Sequence, residues 1–490
     1  MTKYATTLST RRLPGGLSAP DGKGLTAQVP LRPLTPETLR IALPTERYMP
    51  LAAWSIGSII KAGAPLFMTA QGVIQACPRT VQVTQLVDGM TLSSIPERCQ
   101  ILQLTVLEPS PPTQPCLAPL SSRPDPADLK KRAAQAGLVG LGGAGFPAHQ
   151  KWYGELHTLV VNGAECEPFL TADERVMRER APAIWHAIDV LMRAYSLTKC
   201  VIVLEDNTPD ALAALQRTYP EALQDRDVSF TILESRYPSG AERQLIWLAL
   251  GLEIPTTARP VEYGILVHNP GTLAALADAI DGYPLTDRIV TVTGPSIISP
   301  GVFRAPIGTP INALIAAAGG LQPGNHQVRH GGPYMGWEIP EEAPGMHAMT
   351  HCLYAAPAIA RTTSPCIRCG LCAEACPVQL QPQQLFAALS HGQLDHAMHE
   401  GLAHCLRCGA CDQVCPSALP LTDQFQTGLT RQRALSDEAK RADRARERFN
   451  ARTKRLERQA AEAETRRHTR RQQSESALER IRAARAKESI

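Results

Sequence analysis

Short runs of alternating apolar and polar residues dominate the first part of the chain. Between Leu39 and Glu108 the stretches LRIAL, PLFMT, GVIQAC, VQVTQLV and CQILQLTVLE are rich in β-branched residues and leucine. Gly and Pro break them at intervals of roughly ten residues, the signature of short strands joined by turns. They predict a small β-barrel or sandwich within an N-terminal domain, residues 1–110. Cys77 and Cys99 read there as small buried apolar residues rather than ligands. Residues 13–35 are rich in Pro and Gly and read as irregular backbone, and Ser110–Asp128 reads as a Pro-rich linker.

The period then changes. DLKKRAAQAG predicts a helix with a glycine stop, followed by the loop GLGGAGFPAHQKW and a strand, TLVVNGAECEP. CVIVLED and VSFTILES read as further strands. Between them APAIWHAIDVLMRAYSL and DALAALQRTYPEAL carry apolar residues at three- and four-residue spacing, as helices do. Beyond VSFTILES, YPSGAERQLIWLALG predicts a glycine turn opening another helix. Strands alternating with helical crossovers imply a parallel sheet, here over residues 126–280. Residues 285–320 predict two strands with a tight connection and a glycine-capped helix, within a domain at 281–345 that also holds the Gly-rich loop RHGGPYMGW. Helix-forming residues fill 379–404, within a domain at 346–430. The final segment, 431–490, is polar and predicts a charged helix or a disordered tail.

The fold class expected is thus multidomain α/β plus α+β. At 490 residues the chain exceeds a single core, and its 44% apolar content allows several. No apolar run reaches the length of a membrane span, and the start lacks the apolar stretch of an export signal. The expectation is a chain neither secreted nor membrane-spanning by itself. The net charge of +4 conceals an asymmetry. Residues 431–490 hold 19 Lys and Arg against 10 Asp and Glu, which makes the tail +9 and everything before it −5. Only the tail is basic, so charge gives no support to a chain-wide nucleic-acid interface, and no nucleic-acid partner is expected. The tail suits an anionic membrane surface or an acidic partner, or is simply a solvated face.

The most specific chemistry lies in CIRCGLCAEACP (366–377) and CLRCGACDQVCP (405–416), one CxxCxxCxxxCP pattern written twice with eight of the 14 cysteines. Three thiolates two residues apart can hold three irons of a cubane from one loop, and in two-cluster ferredoxins the fourth cysteine ligates the other cluster. This assigns Cys366, Cys369, Cys372 and Cys415 to one [4Fe-4S] centre, and Cys405, Cys408, Cys411 and Cys376 to its partner. Structural zinc would want two separated CxxC pairs, and disulfides would want an oxidising compartment. Crossed fourth ligands force the two cubanes close together.

The loop GLGGAGF satisfies GxGxxG, but a helix precedes it and a strand follows, the reverse of the usual dinucleotide fingerprint. Its glycines still allow close backbone approach and present N–H groups to a phosphate, with Lys151 near to add charge. The alternative is a glycine-rich turn with no ligand. The acids Glu165, Glu167, Asp173 and Glu174 gather beyond a strand's carboxyl end, where α/β sheets bind ligands, or else form an ordinary acidic helix start.

Taken in order, GLGGAGFPAHQK, VVNGAECEPFLTADERVM, YPSGAERQLI and the paired cysteine motifs resemble the C subunit of the bacterial Rnf (Rsx) ion-translocating electron transport complex over residues 13–430. The flavin-bearing subunit of respiratory complex I resembles the first three motifs more distantly. The resemblance implies a Rossmann-like domain binding FMN and NADH, a soluble-ligand-binding β-grasp domain, and a two-cluster ferredoxin domain. By motif, Gly142, Gly143, Gly145 and Lys151 would cradle the flavin phosphate, Asn162 would contact the flavin, and Phe146 would stack near the dinucleotide. Glu165 and Glu167 would line the hydride-transfer face, Gly240 and Glu242 the opposite wall, and Asn269 and Thr272 the phosphate end. Ala241 and HNPGT (268–272) depart from the complex I pattern.

What this implies is an NADH-linked oxidoreductase subunit of a translocase, peripheral on the cytoplasmic face of the bacterial inner membrane. It would pass electrons between NAD(H), FMN, two [4Fe-4S] clusters and the other subunits of that complex. The alternative is a non-catalytic docking and wiring subunit with a vestigial flavin domain.

Overall fold

The computed structural model describes residues 4–488 except 19, 47, 52, 53, 122 and 359–361, with side chains to residue 482. The outermost residues of the expected N-terminal and tail domains lie outside the described residues. Among the described residues the strands form four sheets.

The central sheet is parallel and five-stranded, in the order Ala5–Leu8, Asp227–Leu233, Lys199–Glu205, Thr158–Gly163, Ile265–His268. Successive side chains of a strand point to opposite faces, and both faces here are covered. Leu159, Val161, Cys200, Ile202 and Leu204 pack into one apolar layer with the helices Ala181–Ala194 and Pro270–Ile280. Val160, Val201 and Val203 pack into the other with helix Glu242–Leu250. Burial on both faces explains why these strands read as continuous apolar runs rather than alternating ones. The expected helix before the glycine loop spans Pro126–Gln135, its start fixed by Asp125, whose carboxylate accepts from the Asp128 amide at 2.8 Å.

Two further sheets lie in the stretch expected to form a small β-barrel or sandwich. Thr38–Ala42, Arg98–Glu108, Thr80–Met90 and Ile59–Ile60 form one, and Tyr48–Pro50, Pro65–Thr69 and Ile74–Ala76 the other. Leu39, Ile41, Leu66, Phe67, Val81 and Leu104 fill the space between them. Cys77 and Cys99 are buried, as their apolar reading requires.

The N-terminal segment does not stay in that unit. Ala5–Leu8 adds the edge strand to the parallel sheet, pairing Ala5 with Ser229 through Leu8 with Ile232. Leu31–Pro33, inside the stretch expected to be irregular, pairs with Gly301–Pro306. The third sheet runs Trp337–Glu338, His326–His330, Cys352–Pro357, Asp287–Thr293, Gly301–Pro306, Leu31–Pro33, with helix Ile311–Ala317 against it. It therefore extends beyond the expected limit at 345, because Cys352–Pro357 joins it beside Asp287–Thr293. Strands of three to six residues completed by distant partners leave little periodicity to read.

The helices Pro382–Ser390 and Leu394–His399 join the two cysteine motifs, as the sequence predicts. The tail forms one 68-residue helix, Leu421–Glu488, about 100 Å long at 1.5 Å per residue. It starts well before the basic segment, and its first turn buries Leu421 and Phe425 under the cysteine loops. Among the described residues no helix is long and apolar enough to cross a membrane.

Candidate functional site

A cavity of about 510 Å³ opens at the carboxyl ends of the parallel strands. That is within the usual size of a cofactor site. The glycine loop forms one wall. Gly140 N–H donates to the Phe146 carbonyl at 2.8 Å and Gly145 N–H to the Gly140 carbonyl at 3.1 Å, closing a tight turn. Gly143 and Gly145 have φ of 107° and 64°, conformations costly for other residues. A Cβ on Gly142 would stand 3.2 Å from Asn269 Nδ2. The Leu141 amide donates to Thr272 Oγ1 at 2.9 Å, tying the loop to helix Pro270–Ile280. That helix is capped by Asn269, whose Oδ1 accepts from Gly271 N–H at 2.8 Å while its Nδ2 donates to Asp173 Oδ2 at 2.6 Å.

The sequence-predicted residues converge. Gly142, Gly143, Phe146, Lys151, Asn162, Glu165, Glu167, Gly240, Glu242, Asn269 and Thr272 all line the cavity. Gly145 does not; it turns the loop with its α-carbon against Met349. Lys151 Nζ lies 3.2 Å from Glu242 Oε1 at the rim. Asn162 Nδ2 donates to the Gly240 carbonyl at 2.9 Å, clipping the sheet to the YPSG turn.

The two acids have different surroundings. Glu165 is 5% exposed, and its oxygens accept from the amides of Asp173 and Glu174, so it caps helix Ala172–Glu179. Burial, reinforced by the Asp173 charge, pushes its pKa up to about 8, against the opposing pull of Lys23 and the two amides. Glu167 is equally buried, and its Oε1 accepts from Tyr334 N–H at 2.6 Å and Met335 N–H at 2.8 Å. It thus anchors the RHGGPYMGW loop of the third sheet over the cavity.

Several lining residues escaped the sequence reading. His330, Trp337 and His351 come from the third sheet and its flanks. Cys166 accepts from Gly240 N–H at 3.3 Å. Lys23 is buried beneath the acids and donates to the Glu165 carbonyl at 2.7 Å. The loop RHGGPYMGW stood out for its glycines, but nothing local said that it reaches a strand end more than a hundred residues earlier. Leu406, Arg407 and Cys408 close the cavity floor, so the second cysteine motif abuts it directly.

The eight motif cysteines fall into two clefts. Cys366, Cys369, Cys372 and Cys415 line one, and Cys376, Cys405, Cys408 and Cys411 the other. The two loops repeat one backbone. Arg368 and Arg407 have φ of 57° and 56°, Gly370 and Gly409 of 82° and 72°, and Gln379 and Ala418 of 54° and 49°, at matching steps of each motif. The Leu380 amide points at Cys376 Sγ (3.3 Å) and the Arg407 amide at Cys405 Sγ (3.4 Å). Such N–H···S contacts tune cluster potentials. Four all-thiol donors per cleft suit a cubane. Cys366 and Cys369 are exposed, whereas Cys372, Cys376, Cys408 and Cys411 are buried, and Cys408 also lines the large cavity.

Comparison with known proteins agrees with this layout. Residues 133–278 match the Nuo51 FMN-binding domain, 289–338 the SLBB domain, and 362–419 the 4Fe-4S dicluster domain. The C subunit of the ion-translocating oxidoreductase complex of Edwardsiella ictaluri is 36% identical over 486 residues, covering 92% of this chain and 58% of the relative. Its counterpart in Pseudomonas aeruginosa is 36% identical over 469 residues, covering 92% and 60%. A chain of an NAD+-reducing [NiFe]-hydrogenase in the H2-reduced state superposes with a TM-score of 0.44 at 20% identity over 63% of each chain. The chain thus spans somewhat more than half the length of these curated relatives. Over that span it is similar to the C subunits of ion-translocating oxidoreductase complexes.

Proposed function

We propose that the protein is the peripheral electron-transfer subunit of a membrane-bound ion-translocating complex, passing electrons between NAD(H), FMN, two [4Fe-4S] clusters and partner subunits on the cytoplasmic face of the inner membrane. The observation that carries this reading is the shared wall. The cavity lined by the glycine loop and the strand ends is closed by Leu406–Cys408 of the second cysteine motif. Bound FMN would exchange two electrons with a nicotinamide and one at a time with a cubane.

The chain's own residues do the rest. The backbone of Gly142 and Gly143 gives room for a phosphate, and Lys151 supplies a positive charge beside it. Asn269 and Thr272 hold the loop and the helix start in place. Burial and the neighbouring Asp173 charge favour the protonated form of Glu165 inside the cavity. Glu167 fixes the roof loop, which limits water entry. Cys376, Cys405, Cys408 and Cys411 would hold the inner cubane and Cys366, Cys369, Cys372 and Cys415 the outer one, beside the exposed Cys366 and Cys369.

Anaerobic purification, iron analysis and absorbance titration with FMN and then NADH test the reading. Expected are about eight irons, from four per cubane, saturable FMN binding, and bleaching on NADH addition. Lys151→Ala should weaken FMN binding while leaving the iron in place. A charge-assisted contact of roughly 1.5–3 kcal/mol corresponds to one to two decades of affinity. Zinc in place of iron, or unchanged flavin affinity in the variant, would contradict the assignment.

A further inference from the structure

The segment Leu13–Ser18, LPGGLS, has no regular structure of its own, yet it joins three parts of the molecule. Leu13 is buried in the apolar layer of the parallel sheet beside Val160, Val201 and Val203. Two residues on, Gly15 lies flat on the end of the first cysteine motif. A Cβ there would stand 2.4 Å from the Cys376 carbonyl oxygen. The Gly16 amide donates to the Ala375 carbonyl at 2.9 Å. Leu17 then exchanges both backbone hydrogen bonds with Tyr237, at 2.8 and 3.0 Å. Arg236 clamps the segment from above, donating through Nε to the Gly15 carbonyl at 2.6 Å and through a terminal nitrogen to Ser18 Oγ at 3.0 Å.

Tyr237 carries the contact onward. It is 3% exposed, lines the cavity, and donates its hydroxyl to the carbonyl oxygen of Cys408. Its ring meets Tyr334 edge-on at 4.9 Å. The Tyr334 carbonyl presses on Gly409, where a Cβ would stand 2.8 Å away, and the Tyr334 amide is the one held by Glu167. Both cysteine motifs are thus held at the inner cleft, Cys376 by the LPGG backbone and Cys408 by Tyr237. The outer cleft is braced from within its own motifs, by Ser417 Oγ on the Pro365 carbonyl and the Ser364 amide on the Ser417 carbonyl.

We propose that Leu13–Ser18, clamped by Arg236 and Tyr237, is a positioning strap that sets where the inner four cysteines sit against the flavin cavity. The inference rests on the cofactor reading above, and it assigns a role to a segment that carries no ligand itself. Hydrogen bonding and solvent exposure set the potential of an iron-sulfur cluster. Loosening the strap therefore alters the inner centre and spares the outer one.

Two variants test this. Tyr237→Phe keeps the ring and removes only the hydroxyl. Gly15→Val forces a side chain against the Cys376 carbonyl. Each is compared with the parent protein by iron and FMN content, EPR-monitored redox titration, and hydrogen exchange of amides 405–409 against amides 367–370. Expected in Gly15→Val is at least tenfold loss of protection at 405–409 and a tenfold change in the reduced-to-oxidised ratio of one cubane, which is 59 mV for one electron. Tyr237→Phe should move both in the same direction by less, with iron and amides 367–370 unchanged. If Gly15→Val does not fold, Tyr237→Phe decides. Equal movement of both cubanes, or of neither, would overturn the strap. Exchange is readable without iron, so a chain lacking cubanes would contradict the cofactor reading while the strap is still judged on its own amides.

Discussion

Glu165 shows how one side chain can be legible in sequence and yet change its meaning in the fold. Its place just after the strand marked it as a site residue, and it does line the cavity. Its carboxylate, however, is also the cap of helix Ala172–Glu179. Burial raises its pKa from an ordinary value near 4.5 to about 8. A carboxyl raised on folding is held better in its protonated form. Its contribution to stability is therefore complete below about pH 4.5 and is lost as pH rises through about 8. Glu165→Gln keeps an oxygen to accept from the helix amides and removes the titration. The expected outcome is a flatter melting temperature between pH 4.5 and 8, with the variant above the parent at the upper end. Parallel profiles for the two proteins would show that Glu165 is already ionised in the cavity. The glycines of the loop were legible for a simpler reason, since close approach and positive φ leave few other residues possible. His330 and Trp337 were not, because a single His or Trp looks the same in a sequence whether it packs a core or lines a cavity.

At the scale of elements, periodicity carried three of the five central strands and most of the helices, while Ile265–His268 and Pro270–Ile280 went unread. Leu159–Asn162 and Cys200–Asp206 read as strands to within a residue at each end, because burial on both faces makes a strand uniformly apolar. Ala5–Leu8 and Leu31–Pro33 were invisible, since an edge strand of three or four residues is made by its partner and not by its own pattern. The cysteine motifs were the most legible of all, for their spacing is the ligand geometry. Cys415 belongs in sequence to the second motif, yet it lines the cleft of the first. Combining Cys415→Ala with Cys369→Ala should therefore leave one cubane in the reduced protein by EPR. Combining it with Cys408→Ala should leave none. One surviving cubane in the second double variant and none in the first would restore local ligation.

The whole molecule is arranged as a sequence of sites that no single element reveals. The large cavity lies between the parallel sheet and the roof loop of the third sheet, the buried cleft forms its floor, and the exposed cleft lies beyond. The long basic helix starts within the cysteine domain, its first turn packed against the loops. Chain order supplies the inventory of these parts, but the cleft nearer the cavity depended on contacts between residues 13–18, 237, 334 and 408 that have no local signature. That order is the central claim, and one measurement addresses it most directly. Single substitutions remove one cubane each: Cys369→Ala the outer, Cys408→Ala the inner. Each protein is loaded with FMN, the flavin is photoreduced anaerobically, and reduction of the remaining cubane is followed by rapid-freeze EPR, with dithionite as the reference for full reduction. The structure predicts that the inner cubane, alone in Cys369→Ala, is reduced as fast as in the parent, whereas the outer one, alone in Cys408→Ala, is reduced at least tenfold more slowly. Equal rates in the two variants, or faster reduction of the outer cubane, would contradict the order of sites.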